Sequence, residues 1–309
     1  MKDFNYMKTG SIKFSQSGAY IEKKGATKDH IFLNQLAKPL TVSRQKVKML
    51  LAEVKEKSTI LYWTALFILL IGAGCMIGLL VDDRMLMGVN VWIKPLKFSI
   101  SIAIYLFTTG YLITKYPYSN RKKNIINHLT AWSLLFEFGI IVYQASRGVR
   151  SHYNGDSAFD ALLFLLMGVF VGVNVLLMVV FIFDTIRLKL NTGKAMQWSI
   201  LLGWTIVLFG SWVGGQMIAQ VAHNVGVADG GTGLPLVNWS TKGGDLRIAH
   251  FFALHGIQIM PLFALWISKK WQLSNRNQII AVTIFALMFA SWIGYIFYQA
   301  KQGIPMIAL

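Results

Sequence analysis

The sequence predicts an all-α integral membrane protein, a bundle of seven transmembrane helices with its N-terminus inside and its C-terminus outside. Three observations carry that prediction. Seven apolar runs, at 59–81, 96–114, 126–147, 158–184, 196–221, 248–268 and 277–299, are each close to or above the ~20 residues that cross ~30 Å of hydrocarbon. Of the 309 residues, 55% are hydrophobic and 14% charged, where a soluble domain carries ~25% charged residues. The cations sit in alternate connections. The segment before the first run, with 115–125, 185–195 and 269–276, holds 22 of the 30 Lys and Arg, and a Lys/Arg bias of that kind marks the cytoplasmic side.

Residues 1–58 read as a cytoplasmic basic extension and 59–309 as the seven-span membrane domain. Residues 1–33 mix Lys, Ser and Gly with few large apolar side chains, a composition expected to be weakly ordered. Beyond Pro39, Val47, Leu50, Leu51 and Val54 recur at i, i+3, i+4, i+7 among Lys46, Lys48, Lys55 and Lys57. That spacing predicts either an amphipathic helix lying on an anionic leaflet or a helical extension of the first span. The first run starts too far along the chain for a cleavable signal, so it is expected to be retained.

Within the spans, Gly74 with Gly78, Gly168 with Gly172, and Gly210 with Gly214 place small residues one helical turn apart. Close helix packing inside the bundle is expected there, with a homo-oligomer contact as the alternative. Between the fifth and sixth spans, the connection 222–247 is rich in Gly but carries Leu234, Leu236 and Trp239. An ordered lid over the outer mouth is the expectation.

The net charge of +17 would suggest a nucleic-acid partner in a soluble protein. Here the side-to-side Lys/Arg bias accounts for it, so the expected partners are the lipid bilayer and a small molecule, with no nucleic acid. Cys75 is the single cysteine, which excludes an intramolecular disulfide and a cysteine-based metal site. A bacterial-type plasma membrane is the expected location, and the Asn238-Trp239-Ser240 sequon would matter only in a eukaryotic secretory pathway.

Successive helical residues turn by about 100°, so the polar residues of a span can be tested for a common face. Trp212, Gln216, Gln220 and His223 share one face of the fifth span, and Ser133, Glu137 and Gln144 one face of the third. Lys94, Lys97, Ser101, Tyr105 and Thr108 form a stripe on the second. These stripes are richest toward the outer half, where His152, His250 and His255 also lie, and together they predict an outward-facing pocket.

Glu137 is the carboxylate nearest mid-membrane, a position that costs several kcal/mol unless it is paired or hydrated. Lys97 is its expected ion partner and Gln144 its hydrogen-bond neighbour, which makes Glu137, Lys97 and Gln144 the candidate catalytic set. His223 and His250 end the two spans joined by the 222–247 connection. They could ligate a haem iron, with His255, Gln216 and Gln220 in the same cavity, or a divalent metal together with His152 and Asp245. Against a metal, His250 and His255 are ~140° apart around their helix rather than on one face. No HExxH, P-loop, GxSxG or CxxCH motif is present. The sequence reading is a membrane-embedded enzyme or redox protein using haem or metal. A small-molecule or ion transporter or channel, and a membrane sensor or assembly factor, remain the alternatives.

Overall fold

The computed structural model describes residues 45–308 apart from 232 and 272. The expectation for 1–33 therefore falls outside the described residues. Residues 45–57 are helical (α1). Val54 is buried in α1, whereas Val47 and Leu50 are exposed, so only part of the apolar stripe read from the sequence is covered. From Met49 onward the chain is one unit.

Ser58 separates α1 from α2 (Thr59–Val81). Its hydroxyl donates to the Gly110 carbonyl at 2.9 Å. α2 holds no charged residue over 23 positions, and ends where Asp82, Asp83 and Arg84 begin. A hairpin follows, β1 (Met85–Leu86) against β2 (Val89–Asn90). Its two-residue turn puts both Met87 (φ 52°) and Gly88 (φ 80°) in the left-handed region, the geometry that matches strand twist in tight hairpins. Gly88 is there for two reasons. It has no side chain to strain at that φ, and an added Cβ would lie 3.0 Å from the Gly230 carbonyl.

The remaining helices are α3 (Ile93–Ile113), α4 (Asn120–Ser146), α5 (Ala158–Arg187), α6 (Lys194–Ala219), α7 (Leu246–Leu254), α8 (Gly256–Lys270) and α9 (Asn275–Lys301). Four have side-chain caps: Ser119, Ser157, Asp245 and Ser274 accept from the backbone N–H of Lys122, Asp160, Arg247 and Asn277. Such caps satisfy N–H groups that the helix itself leaves without partners. Pro95 falls in the first turn of α3, where its missing N–H costs nothing. Six helices are long and apolar enough to cross a membrane, and α7 with α8, bent by 47° at His255, makes a seventh if counted as one span.

α6 is the axis of the bundle. On one side Trp204 stacks on Phe181 of α5 at 4.8 Å, inside a core shared by α2, α3, α4 and α5. On its other side Ile206, Val213 and Met217 join a second core with α7, α8 and α9. α6 and α8 cross where Gly203 meets Gly256; a Cβ on Gly256 would approach the Ile206 side chain to 2.8 Å. Gly210 and Gly214 likewise receive Ala253 and His250 of α7, but a Cβ added at Gly168 or Gly172 would meet no other element within 4 Å. α2, α5 and α9 bury the smallest share of their apolar length. Their outer faces show Leu70, Leu80, Leu165, Leu176, Leu287 and Met288, the surface that lipid covers.

At one end of the bundle the hairpin, the 147–157 connection and the 220–245 connection come together. The last is folded: β3 (Asn224–Val225) pairs with β4 (Gly244–Asp245), and Gly233 bridges to Ser240. Asn238 donates to the Met87 carbonyl at 3.3 Å, joining this connection to the hairpin turn.

Candidate functional site

That end encloses a cavity of about 720 Å³, within the range that holds a drug-sized ligand. α3 supplies Lys94, Lys97 and Phe98; the 147–157 connection supplies Arg150, Ser151, His152 and Tyr153; the 220–245 connection supplies His223, Asp229, Trp239 and Lys242; α7 supplies Arg247, His250 and Phe251. Five basic side chains thus line it against one carboxylate, Asp229, among the described residues.

The Lys94 ammonium lies 3.2 Å from His152 Nδ1 and 5.8 Å from the centre of the Phe98 ring. An ammonium can only donate, so Nδ1 accepts and the ring proton of a neutral His152 sits on Nε2. His152 is held neutral first by burial and then by the nearby positive charge of Lys94, with His223 and His250 adding to it; its pKa lies well below the usual 6.5. Lys97 donates to the Val237 carbonyl at 3.2 Å. Among the described residues, neither lysine has a carboxylate within 4.0 Å.

The other charges are tied down. Asp245 is buried, caps α7, accepts from Ser240 N at 2.9 Å and holds Arg247 at 2.6 Å. Arg247 also donates to the Asn238 carbonyl. Asp229 takes the backbone N–H of His223 and of Asn224, both at 2.9 Å, and the His223 ring at 2.6 Å. Burial alone would raise the Asp229 pKa, but the hydrogen bonds from His223 and Asn224 outweigh it and bring the carboxyl to about 2. Tyr153 packs edge-on to His223 at 5.4 Å. Burial, and then the Asp229 charge, push its hydroxyl to about 12. Its backbone is left-handed (φ 55°), a conformation uncommon outside glycine.

The sequence-derived residues are only partly brought together. His152, His223 and His250 line one cavity, and Lys97 lines it with them. The expected Lys97–Glu137 ion pair is not formed: Lys97 is engaged by Val237, and Lys94 is the cation in electrostatic reach of Glu137. The expected Glu137–Gln144 contact is also replaced, because a buried carboxylate one loop away is the stronger partner. Gln144 donates to Asp160 at 2.8 Å and accepts from Arg147 at 2.6 Å. Asp245 does not join the histidines, since Arg247 and two backbone N–H groups occupy its oxygens. No group of three or more His, Cys, Asp or Glu is arranged to hold a metal among the described residues.

Gln216, Gln220 and His255 are not among the lining residues. Gln220 caps the end of α6 by donating to the Ala222 carbonyl at 3.0 Å. His255 sits at the α7–α8 bend against Phe251. Residues the stripes missed are Arg150, Tyr153, Asp229, Lys242 and Arg247. All lie in connections or a short helix, where rotation by 100° predicts nothing. The signal that could have found three of them is the run of polar residues at span boundaries in YQASRGVRSHYN and GGDLRIAH. No protein-family model, curated protein or solved structure matches this chain.

Proposed function

We propose that this membrane protein binds an anionic small molecule with an apolar body in the cavity formed by α3, α7 and the connections at that end. The observation that carries the reading is the pair Lys94 and Lys97, two cations on successive turns of α3 facing the cavity without a carboxylate partner. Water-poor surroundings make unpaired charges costly, and an anion would relieve both. Lys94 and Lys97 would clamp it, Arg247 would add a third donor, and neutral His152 would fix the position of Lys94. Phe98, Ile141, Met217 and Phe251 would take the apolar part, because the cavity is far larger than a lone oxyanion needs. In this reading the chain crosses a bacterial-type plasma membrane seven times, with residues 1–58 cytoplasmic and the cavity opening outward, as the Lys/Arg bias of the opposite loops favours.

Calorimetry on the detergent-solubilised chain tests this with octyl phosphate, octylammonium and inorganic phosphate as probes. Octyl phosphate is expected to bind most tightly. Lys94→Gln and Lys97→Gln should each weaken it by about tenfold or more, the ~1.5–3 kcal/mol of a charge-assisted hydrogen bond. Binding of octylammonium as tight as that of octyl phosphate would overturn the reading.

One observation favours a second reading, a haem held between two histidines. His250 Nδ1 meets the Gly210 carbonyl at 2.7 Å and His223 Nδ1 meets Asp229, while no hydrogen bond uses either Nε2 among the described residues. An Nδ1–H held by an acceptor is how ligating imidazoles are usually oriented. A Soret band in gently purified protein that is lost in both His223→Ala and His250→Ala would establish it. Protein without such a band would remove it.

A further inference from the structure

Glu137 lies one turn beneath Ile141, which lines the cavity, and among the described residues it has neither hydrogen-bond nor ion-pair partner. It is not isolated. Below it on the same face of α4 come Ser133, Thr130 and Asn127, all buried, and then Lys123 one turn from Asn127 toward the opposite end. From Lys123 to Glu137 is 14 residues, about 21 Å at 1.5 Å per residue. Asn174 of α5 donates to Ser133 Oγ at 2.6 Å. Asn127 Oδ1, Thr130 Oγ1 and Asn174 Oδ1 are buried without any partner.

Buried polar atoms without protein partners are the places where internal water is held. Neighbouring positions here are one helical turn apart, with Cβ atoms roughly 5–6 Å from each other, which is the span of one bridging water. A merely structural polar contact between α4 and α5 would account for Ser133 and Asn174. It would not account for a file that runs on to Asn127 in one direction and to a carboxylate under the cavity in the other.

We propose that this face of α4 is a proton-conducting file between the Lys123 end of the bundle and the cavity, with Glu137 as the carrier. Each water, and the hydroxyl of Thr130, accepts one proton and releases its own, while Asn127, Asn174 and Ser133, whose own hydroxyl donates to the Leu129 carbonyl at 2.6 Å, orient the waters. The Glu137 carboxylate takes the arriving proton and becomes a carboxylic acid. It then gives that proton to a water in the cavity, which passes it on to solvent, and is a carboxylate again. Only O–H bonds are made and broken. Lys94 of α3 is the charged group that acts on Glu137; from α5 the polar group that reaches this face of α4 is the neutral Asn174, against Ser133. The file stands on α4 and α5 alone and does not depend on which ligand the cavity takes.

The test uses the full chain in liposomes loaded with a pH-sensitive dye, with a potassium diffusion potential driving protons inward. Wild-type vesicles should acidify about tenfold faster than protein-free ones, equivalent to ~1.4 kcal/mol of barrier. Glu137→Gln should fall to the protein-free rate, Glu137→Asp should retain part of the flux, and Thr130→Val should slow it. Infrared difference spectra after an acid pulse should show a carboxyl C=O band in wild type that Glu137→Gln lacks. Wild-type flux no faster than protein-free vesicles, undiminished flux in Glu137→Gln, or absence of the carboxyl band would each overturn the proposal.

Discussion

Lys94 differs from the other cations of the cavity because its polar partner is an imidazole, which burial and then the surrounding charge keep from taking a proton. That makes His152 the residue through which pH acts. Its folded pKa lies below the unfolded value of about 6.5, so the stability it contributes is complete above pH 6.5 and is lost as pH falls below it. Asp229 works the same way in a lower window, complete above about 3.8 and lost as pH falls toward about 2. Stability in detergent should therefore drop between pH 6.5 and 5 at up to about 1.4 kcal/mol per pH unit for the one proton. His152→Gln should flatten that drop. A wild-type melting temperature constant over the same range would contradict the assignment. For Asp245, buried beneath Arg247 and two N–H groups, Asp245→Ala should cost about 1–3 kcal/mol by leaving the backbone N–H groups of Ser240 and Arg247 without their acceptor. A loss under about 0.5 kcal/mol in equilibrium unfolding would show that other acceptors replace the carboxylate.

Among the elements, helix contacts decide which pairs of residues are coupled. Lys94, on the first turn of α3, is the cation that reaches Glu137 on α4, while Lys97 is turned toward the 220–245 connection. In double-mutant cycles Glu137→Gln with Lys94→Met should be non-additive, and Glu137→Gln with Lys97→Met additive within about 0.5 kcal/mol. The reverse pattern would mean that α3 is rotated relative to α4. Helix packing gives a second contrast. Gly256→Val places atoms where Ile206 already is and should destabilise by several kcal/mol, whereas Gly168→Ala, facing open space, should be neutral or better. Equal effects in thermal melts would argue against the Gly203–Gly256 crossing.

Across the molecule, the apolar runs were legible because span length is set by the bilayer, and a charge-free stretch as long as 59–81 fits a lipid core far better than a water-exposed surface. The first and second runs emerge as α2 and α3, with α3 beginning at Ile93 rather than 96. There the boundary was blurred because Lys94 lies inside the helix. The run at 248–268 is broken at His255 into α7 and α8, which periodicity alone could not foresee, since both halves continue the apolar pattern. Of the site, the histidine cluster and Lys97 were legible from their place at span ends. The partners were not, because Val237, Asn238 and Asp229 come from a connection whose path depends on the hairpin turn at Met87–Gly88. Reporters fused after Lys123 and Lys270 should report the cytoplasm and one inserted near Gly231 the outside. The opposite result would put the cavity on the inner face without altering its chemistry.

Whether the cavity holds an anion between Lys94 and Lys97 is decided most directly by a ligand-bound structure. Crystals of the full chain grown with 4-bromophenyl phosphate would locate both ends of the probe, the bromine by its anomalous signal. Phosphate oxygens are expected within about 3.2 Å of both lysine Nζ atoms, with the bromophenyl ring against Phe98 and Phe251. Density for the probe elsewhere on the protein, or a cavity still filled by water at saturating probe, would contradict anion binding at this pair.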